Sequence, residues 1–328
     1  MIVDRLKVWF EQLPAIPERI WVAYSGGRDS HVLLHALRSA LERCDAPFPG
    51  SALIACHVNH RLSEYSDDWA AHCQQVADSL ELSILTKTLT THPKKGDSIE
   101  AWARQARYEW FQSLLEPGDL LCTAHTQNDQ AETVLINLIR GSGLQGLSSI
   151  APIKVLGSGM LARPLLNIDR NGIDAYVSEF NLNYIDDDSN TNLKFKRNYI
   201  RHELIPNMIK RYPSVVSTLA RTAKHAREAN LLLDEVAALD LERLLLPNGR
   251  ILASKLAQLS YPRQKNVFRY WLRLNAFPLP SEVKLDDILR QLIEAGIDRH
   301  PKIQWGEVEV RRVKGEVILL RTENMASI

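Results

Sequence analysis

The chain of 328 residues is short of cysteine, of net charge and of long apolar runs, and each shortage excludes something. Its four cysteines (Cys44, Cys56, Cys73 and Cys122) are far apart and form no CxxC pair. A disulfide framework, a zinc ribbon or a Cys-held cluster is therefore not expected, and a reducing, cytoplasmic setting is. No stretch approaches the ~20 consecutive apolar residues of a bilayer span, so no membrane partner is expected. The opening residues, Met1–Leu6, have neither the apolar block nor the cleavage pattern of a secretory leader. A net charge of +1 argues against a globally basic nucleic-acid binder, and any such contact must rest on local patches. No Lys follows the paired glycines at 26 and 27, so the nucleotide loop of P-loop proteins is missing as well.

What is present is an ordinary globular composition, 45% hydrophobic and 24% charged, long enough for two domains. The boundary is expected near Tyr212-Pro213, giving residues 1–212 and 213–328. The first part alternates strands with helices. Ile20–Tyr24, Ala52–Val58, Leu82–Thr88 and Asp119–Thr123 read as strands. Helices follow at about 31–41, 66–80, 98–115 and 129–140, the third opening on Asp97 with Glu100 as a capping box. That order predicts an α/β fold with a doubly wound parallel sheet, whose ligands gather outside the carboxyl ends of the strands. The second part reads as smaller and mostly helical. Its long helix, about 219–246, presents Leu231, Leu232, Val236, Leu239 and Leu244 as a packing stripe, and two strands, 303–313 and 316–321, close the chain as a hairpin.

Three polar clusters fall at predicted strand ends. The first is Ser25-Gly26-Gly27-Arg28-Asp29-Ser30, a glycine turn between strand and helix. Paired glycines let backbone N–H groups approach an anion, and the helix N-terminus adds partial positive charge. The second is His57-Val58-Asn59-His60-Arg61, and the third runs from His125 through Asp129 to Glu132. Asp129 and Glu132 lie three apart at a helix start. They either cap that helix or, beside a triphosphate cradle, hold Mg²⁺ or an amine-bearing substrate. Arg104 and Arg107 share a helix face that is either solvated or turned to phosphate, while Trp102, Ala106 and Trp110 form a core stripe. Arg140–Leu147 is a lid, a nucleic-acid-contacting loop or a flexible connector. Between Lys194 and Arg227 nine Lys/Arg stand against one acid, Glu203, which is either an ordinary solvated surface or a basic patch for phosphates.

The SGGxDS form of the first cluster resembles the loop of the PP-loop (N-type) ATP pyrophosphatases. Five fixed residues give a chance frequency on the order of 10⁻⁶ per position. Further segments narrow the resemblance: HVNHRL, EAWARQARYEWF, TAHTQNDQAET, LIRGSGLQGL, ARPLL, and DDDSN followed by RNYIRHELIP. In this order, from about Ile20 to Pro206, they are similar to the tRNA(Ile)-lysidine synthetase family. The resemblance implies ATP-dependent ligation of free L-lysine to C2 of the wobble cytidine in the CAU-anticodon isoleucine tRNA, through an adenylated base, with AMP and pyrophosphate released. It implies ATP and Mg²⁺ as cofactors, with Ser25, Gly26, Gly27, Arg28, Asp29 and Ser30 on the nucleotide and Asp29 on the metal. It further implies that Asp129 and Glu132 handle lysine and that Arg107 and His125 contact phosphates or adenylate. Lys194, Arg197, Arg201, Arg263 and Arg269 are then expected on the tRNA, and a monomer or homodimer as the assembly. Another PP-loop tRNA-modifying enzyme, such as a thiolase, is the alternative, against which the isolated cysteines argue. Two positions depart from the family pattern: Arg28, often apolar or small there, and Thr126, often a second His. Some members continue into a further C-terminal domain, so a chain ending after the hairpin is expected to be a short or truncated form.

Overall fold

A computed structural model of the chain describes residues 2–42, 50–91, 98–186, 192–193, 195–296 and 299–322. They form two compact units, Met1–Ala226 and Arg227–Ile328. In the first unit α1 (Ile2–Glu11) precedes β1 (Arg19–Ala23), α2 (Arg28–Leu41), β2 (Ala52–Asn59), α3 (Ser66–Ser79), β3 (Ser83–Thr88), α4 (Ile99–Leu114) and β4 (Leu120–Cys122). Then come α5 (Gln127–Ile139), α6 (Leu144–Leu147), β5 (Ile153–Leu156), β6 (Gly159–Ala162) and α7 (Arg170–Phe180). The six strands form one sheet in the order β3-β2-β1-β4-β6-β5, in which only β5 runs antiparallel to its neighbour.

Both faces of this sheet are covered, as strands buried on two sides require. Along β1 the side chains alternate: Ile20, Val22 and Tyr24 enter one core with α1, α2 and α7. Trp21 enters the other, against Phe111 and Leu115 of the α4 segment. Trp102, Ala106 and Trp110 pack on that second core, as their helical spacing predicts. The cap of α4 is Ser98, whose hydroxyl accepts from the Ala101 N–H; Asp97 lies outside the described residues. The sheet runs β3-β2-β1 on one side and β4-β6 on the other, so the order in which the chain lays down its strands reverses between β1 and β4, and a crevice opens at the carboxyl ends there.

After the sheet, α8 (Lys196–Tyr199), a π-helical turn (Ile200–Leu204) and α9 (Ile205–Arg211) run as one continuous helical stretch. Ile200 and Ile205 pack on Ala131 and Leu135 of α5, which anchors that stretch over the carboxyl end of β4.

The long helix α10 (Val215–Leu244) crosses from one unit into the other and leads to β7 (Ile251–Leu252), α11 (Ala253–Leu256), α12 (Tyr261–Leu274) and α13 (Glu282–Glu294). β8 (Lys302–Trp305), β9 (Val308–Val313) and β10 (Glu316–Arg321) follow. The expected strand 303–313 is thus two strands broken at Gly306, where φ is +50°, and the hairpin belongs to an antiparallel sheet ordered β7-β10-β9-β8. The expected packing stripe on α10 is corrected in large part. Leu231, Leu232, Val236 and Leu239 are exposed and Leu244 is buried; over the same stretch Ala237, Asp240 and Leu241 are buried with it. The buried face carries a charge: Asp240, 1% exposed, is paired with Arg263 of α12. A stripe sought among apolar residues alone misses a helix face whose central member is an acid.

Candidate functional site

The glycine turn leaves β1 and enters α2. Gly26 has φ of +82°, and a Cβ there would lie 2.4 Å from Ile185 Cδ1 and 3.0 Å from Cys73 Sγ, so no larger residue fits. The Ile185 N–H donates to the Gly26 carbonyl (2.9 Å). Ser30 Oγ donates to the Gly27 carbonyl (2.8 Å) and accepts from the Ser25 N–H (3.2 Å), which folds the turn over its own helix start. Gly27, the N-cap of α2, offers no side-chain cap, so the first-turn N–H groups are left for an anion.

Arg28 donates to Asp174 of α7 (2.8 Å) and lies over the Tyr184 ring. The first departure from the family pattern therefore ties the turn to α7. Asp29 is pushed up to about 6 by its partial burial and by the neighbouring charge of Asp129, against the pull of Arg28 and Arg201.

The acids of α5 face a pair of arginines. Arg197 Nε donates to Glu132 Oε2 (2.7 Å) and its Nη2 to Asp129 Oδ1 (2.9 Å). Arg201 Nε donates to Glu132 Oε1 (2.6 Å), and its Nη2 reaches Asp129 Oδ1 and Glu132 Oε2 (3.1 Å each). Asp129 Oδ2 also accepts from the Thr126 N–H (2.8 Å) and hydroxyl (3.0 Å). The second departure, Thr126, thus serves as the helix cap that orients Asp129. Burial alone would raise the Asp129 carboxyl; Arg197, His125, the Thr126 backbone and Arg201 outweigh it and hold it below its ordinary value. Four donors saturate Asp129, whereas Glu132 accepts three and keeps one acceptor site on Oε1.

His125, at the carboxyl end of β4, places Nδ1 2.9 Å from Thr123 Oγ1. Burial and the charges of Arg163, Arg197 and Arg104 push its pKa down despite Asp129, so the ring is neutral near pH 7. Arg107 lies within electrostatic reach of His60 at the end of β2, whose pKa falls to about 4 through burial first and Arg107 second.

The structure therefore brings the glycine turn, Asp29, His125, Asp129 and Glu132 together, with Arg107 on the flank. Arg197 and Arg201, expected on the tRNA, stand against the two acids. Arg263 pairs with Asp240 and Arg269 with Glu282, both within the second unit. Lys194 lies outside the described residues. One residue went unnoticed as a site member, Arg163, while His60 stood in the second polar cluster without an assigned role. Arg163 follows β6, a four-residue strand; reading Gly159–Ala162 as a strand would have put Arg163 at the same end of the sheet as the other clusters. Among the described residues no group of three or more His, Cys, Asp or Glu could hold a metal by itself.

These features define a PP-loop protein, and residues 3–208 match the family model of the ATP-binding PP-loop domain. Residues 253–318 match the TilS substrate binding domain. The chain is 42% identical over 298 residues to the tRNA(Ile)-lysidine synthase of Coxiella burnetii, covering 91% of this chain and 65% of that one. It is 35% identical over 317 residues to that of Legionella pneumophila (strain Paris), covering 97% of this chain and 72% of the relative. The chain belongs to the tRNA(Ile)-lysidine synthase family. Among solved structures, a U34-tRNA thiolase from Methanococcus maripaludis shares the fold, with a TM-score of 0.57 at 16% identity over 69% of this chain and 78% of that one. The described cysteines, Cys56, Cys73 and Cys122, are free and buried. No described helix is long and apolar enough to cross a membrane.

Proposed function

We propose that the chain joins the amine of free L-lysine to C2 of the wobble cytidine of the CAU-anticodon isoleucine tRNA, as a carbon–nitrogen ligase that cleaves ATP to AMP and pyrophosphate. The carrying observation is the meeting of a phosphate turn with a buried acid pair at one end of one sheet. In this reading the cytidine O2 attacks the α-phosphorus and expels pyrophosphate, and the amine then attacks C2 and displaces AMP. Ser25, Gly26, Gly27 and Ser30 hold the departing phosphates through backbone and hydroxyl donors. Arg107 and the neutral His125 serve the adenylate side of the crevice.

Only the neutral amine is nucleophilic, so a base must take the ammonium proton. Glu132 keeps the free acceptor site for that proton, whereas Asp129 is saturated by its cap and its arginines. Arg197 and Arg201 connect the two half-reactions. The ATP polyphosphate competes for their guanidinium groups, and any contact given up on Glu132 becomes available to the lysine ammonium.

Asp29 suits Mg²⁺: it is a hard oxygen donor at the phosphate turn, and its carboxyl is raised first by burial and then by the Asp129 charge, both of which a bound cation would offset. One carboxylate with phosphates and water is the usual Mg²⁺ environment, which accords with the lack of a larger acidic cluster among the described residues. When bound there, the ion neutralises charge on the leaving pyrophosphate.

The test is AMP and pyrophosphate release from ATP with unmodified tRNA(Ile), with and without lysine. Lysine-dependent product, lost in Glu132→Ala, is expected. Turnover indifferent to lysine, or to Glu132→Ala, overturns the reading.

A further inference from the structure

Arg163 is a buried site arginine that no described carboxylate answers. It is 5% exposed, and Nε is buried without a hydrogen-bond partner. Its Nη1 donates to the Ala151 carbonyl (2.5 Å), and the Tyr108 hydroxyl bonds the guanidinium as well. No described carboxylate pairs with it. A guanidinium cannot shed its proton to escape burial, so the compensating anion must come from outside the chain. Arg104, exposed on α4 with its guanidinium 4.9 Å from the Tyr108 ring centroid, is a further positive charge acting on it.

Position decides between the anions at hand. The phosphate turn follows β1, and β6 lies two strands away, about 10 Å at ordinary strand spacing. β4 stands between them, with His125 at its end and the acid pair just beyond. His125 is within electrostatic reach of Asp129 as well as of Arg163 and Arg104. A ligand fitting here presents an anion to the arginines and a cation to the acids. An amino acid does both, and a polyphosphate does only the first. The edge of a guanidinium fork also matches a carboxylate in its plane.

We propose that Arg163, assisted by Arg104, is the subsite for the carboxylate of the amino-acid substrate. The assignment rests on the lysine-ligating reading above. It makes the site select a free amino acid over a simple amine.

The test is steady-state kinetics of the whole chain with tRNA(Ile) and ATP, with lysine, lysine amide or 1,5-diaminopentane as the amine. Wild type is expected to favour lysine over both analogues by about tenfold or more, the scale of one charge-assisted paired contact. Arg163→Gln and Arg104→Gln each raise the KM for lysine, leave the KM for ATP in place and shrink the preference over lysine amide. A loss of packing alone would not move that preference. Should Arg163→Gln fail to fold, Arg104→Gln, which removes an exposed side chain, carries the same readout. An unchanged lysine KM and preference overturns the proposal. So does a rise in the KM for ATP in place of that for lysine, which reassigns the arginine to phosphate. A wild type that releases AMP without any amine sinks the ligase reading itself.

Discussion

Glu132 exposes 1% of its side chain and faces two guanidinium groups, so its replacement has two separable effects. Glu132→Ala leaves Arg197 and Arg201, each with a third of its side chain reaching solvent, with Asp129 as their only paired acid, at a cost of about 2–3 kcal/mol in unfolding free energy. Urea unfolding measures that loss, and an unchanged midpoint would mean that the quartet contributes no stability. Glu132→Gln keeps the volume and part of the hydrogen bonding but removes the base, so it should fold better while staying inactive. At Gly26 the effect is steric. Gly26→Ala puts a methyl group within 2.4 Å of Ile185 and forces φ of +82° on an L-residue, about 1–2 kcal/mol from the backbone alone. Weaker ATP binding with a lowered melting temperature is expected, and normal ATP affinity would show that the turn can rebuild itself.

At the scale of elements, four of the five parallel strands, β2, β1, β4 and β6, end in candidate site side chains, and most of that arrangement is legible in the sequence. Alternating apolar runs and glycine or polar clusters mark β1, β2 and β4 and their ends directly. β6 escapes because four residues in a weakly patterned segment show no period, and Arg163 escapes with it. Arg197 and Arg201 are visible as an i, i+4 pair, but charge alone cannot tell a tRNA phosphate from a distant carboxylate of the same chain. Their placement depends on the π turn at Ile200–Leu204 and on packing against α5, neither of which has a local signature. A pH effect belongs to this scale too. His60, at the end of β2, has its pKa lowered from 6.5 to about 4, and its Nδ1 is buried without a described partner. Between those two values the unfolded chain binds a proton that the folded chain refuses. Stability from this group is therefore full above pH 6.5 and is lost as pH falls towards 4. His60→Gln should flatten the decline of the urea midpoint across that window, and an identical slope would show that His60 is charged in the fold.

For the molecule as a whole, the proposed tRNA substrate raises the question of where a chain of net charge +1 finds positive surface. Two arginines of α12 answer differently. Arg263 pairs with Asp240, whose side chain is wholly buried, so Arg263→Ala leaves a carboxylate unpaired in the core of the second unit and acts mainly by destabilising it. Arg269 pairs with Glu282 on the surface, with both side chains more than a third exposed. Surface pairs of that kind hold little stability and exchange readily for a phosphate. Arg269→Ala is therefore the cleaner probe: it should fold as the wild type does, bind tRNA(Ile) more weakly, and lower the slope of log affinity against log salt by about 0.7–0.9, the share of one phosphate contact. Binding titrations over a series of KCl concentrations read that slope. Should it stay the same, Arg269 lies outside the tRNA footprint.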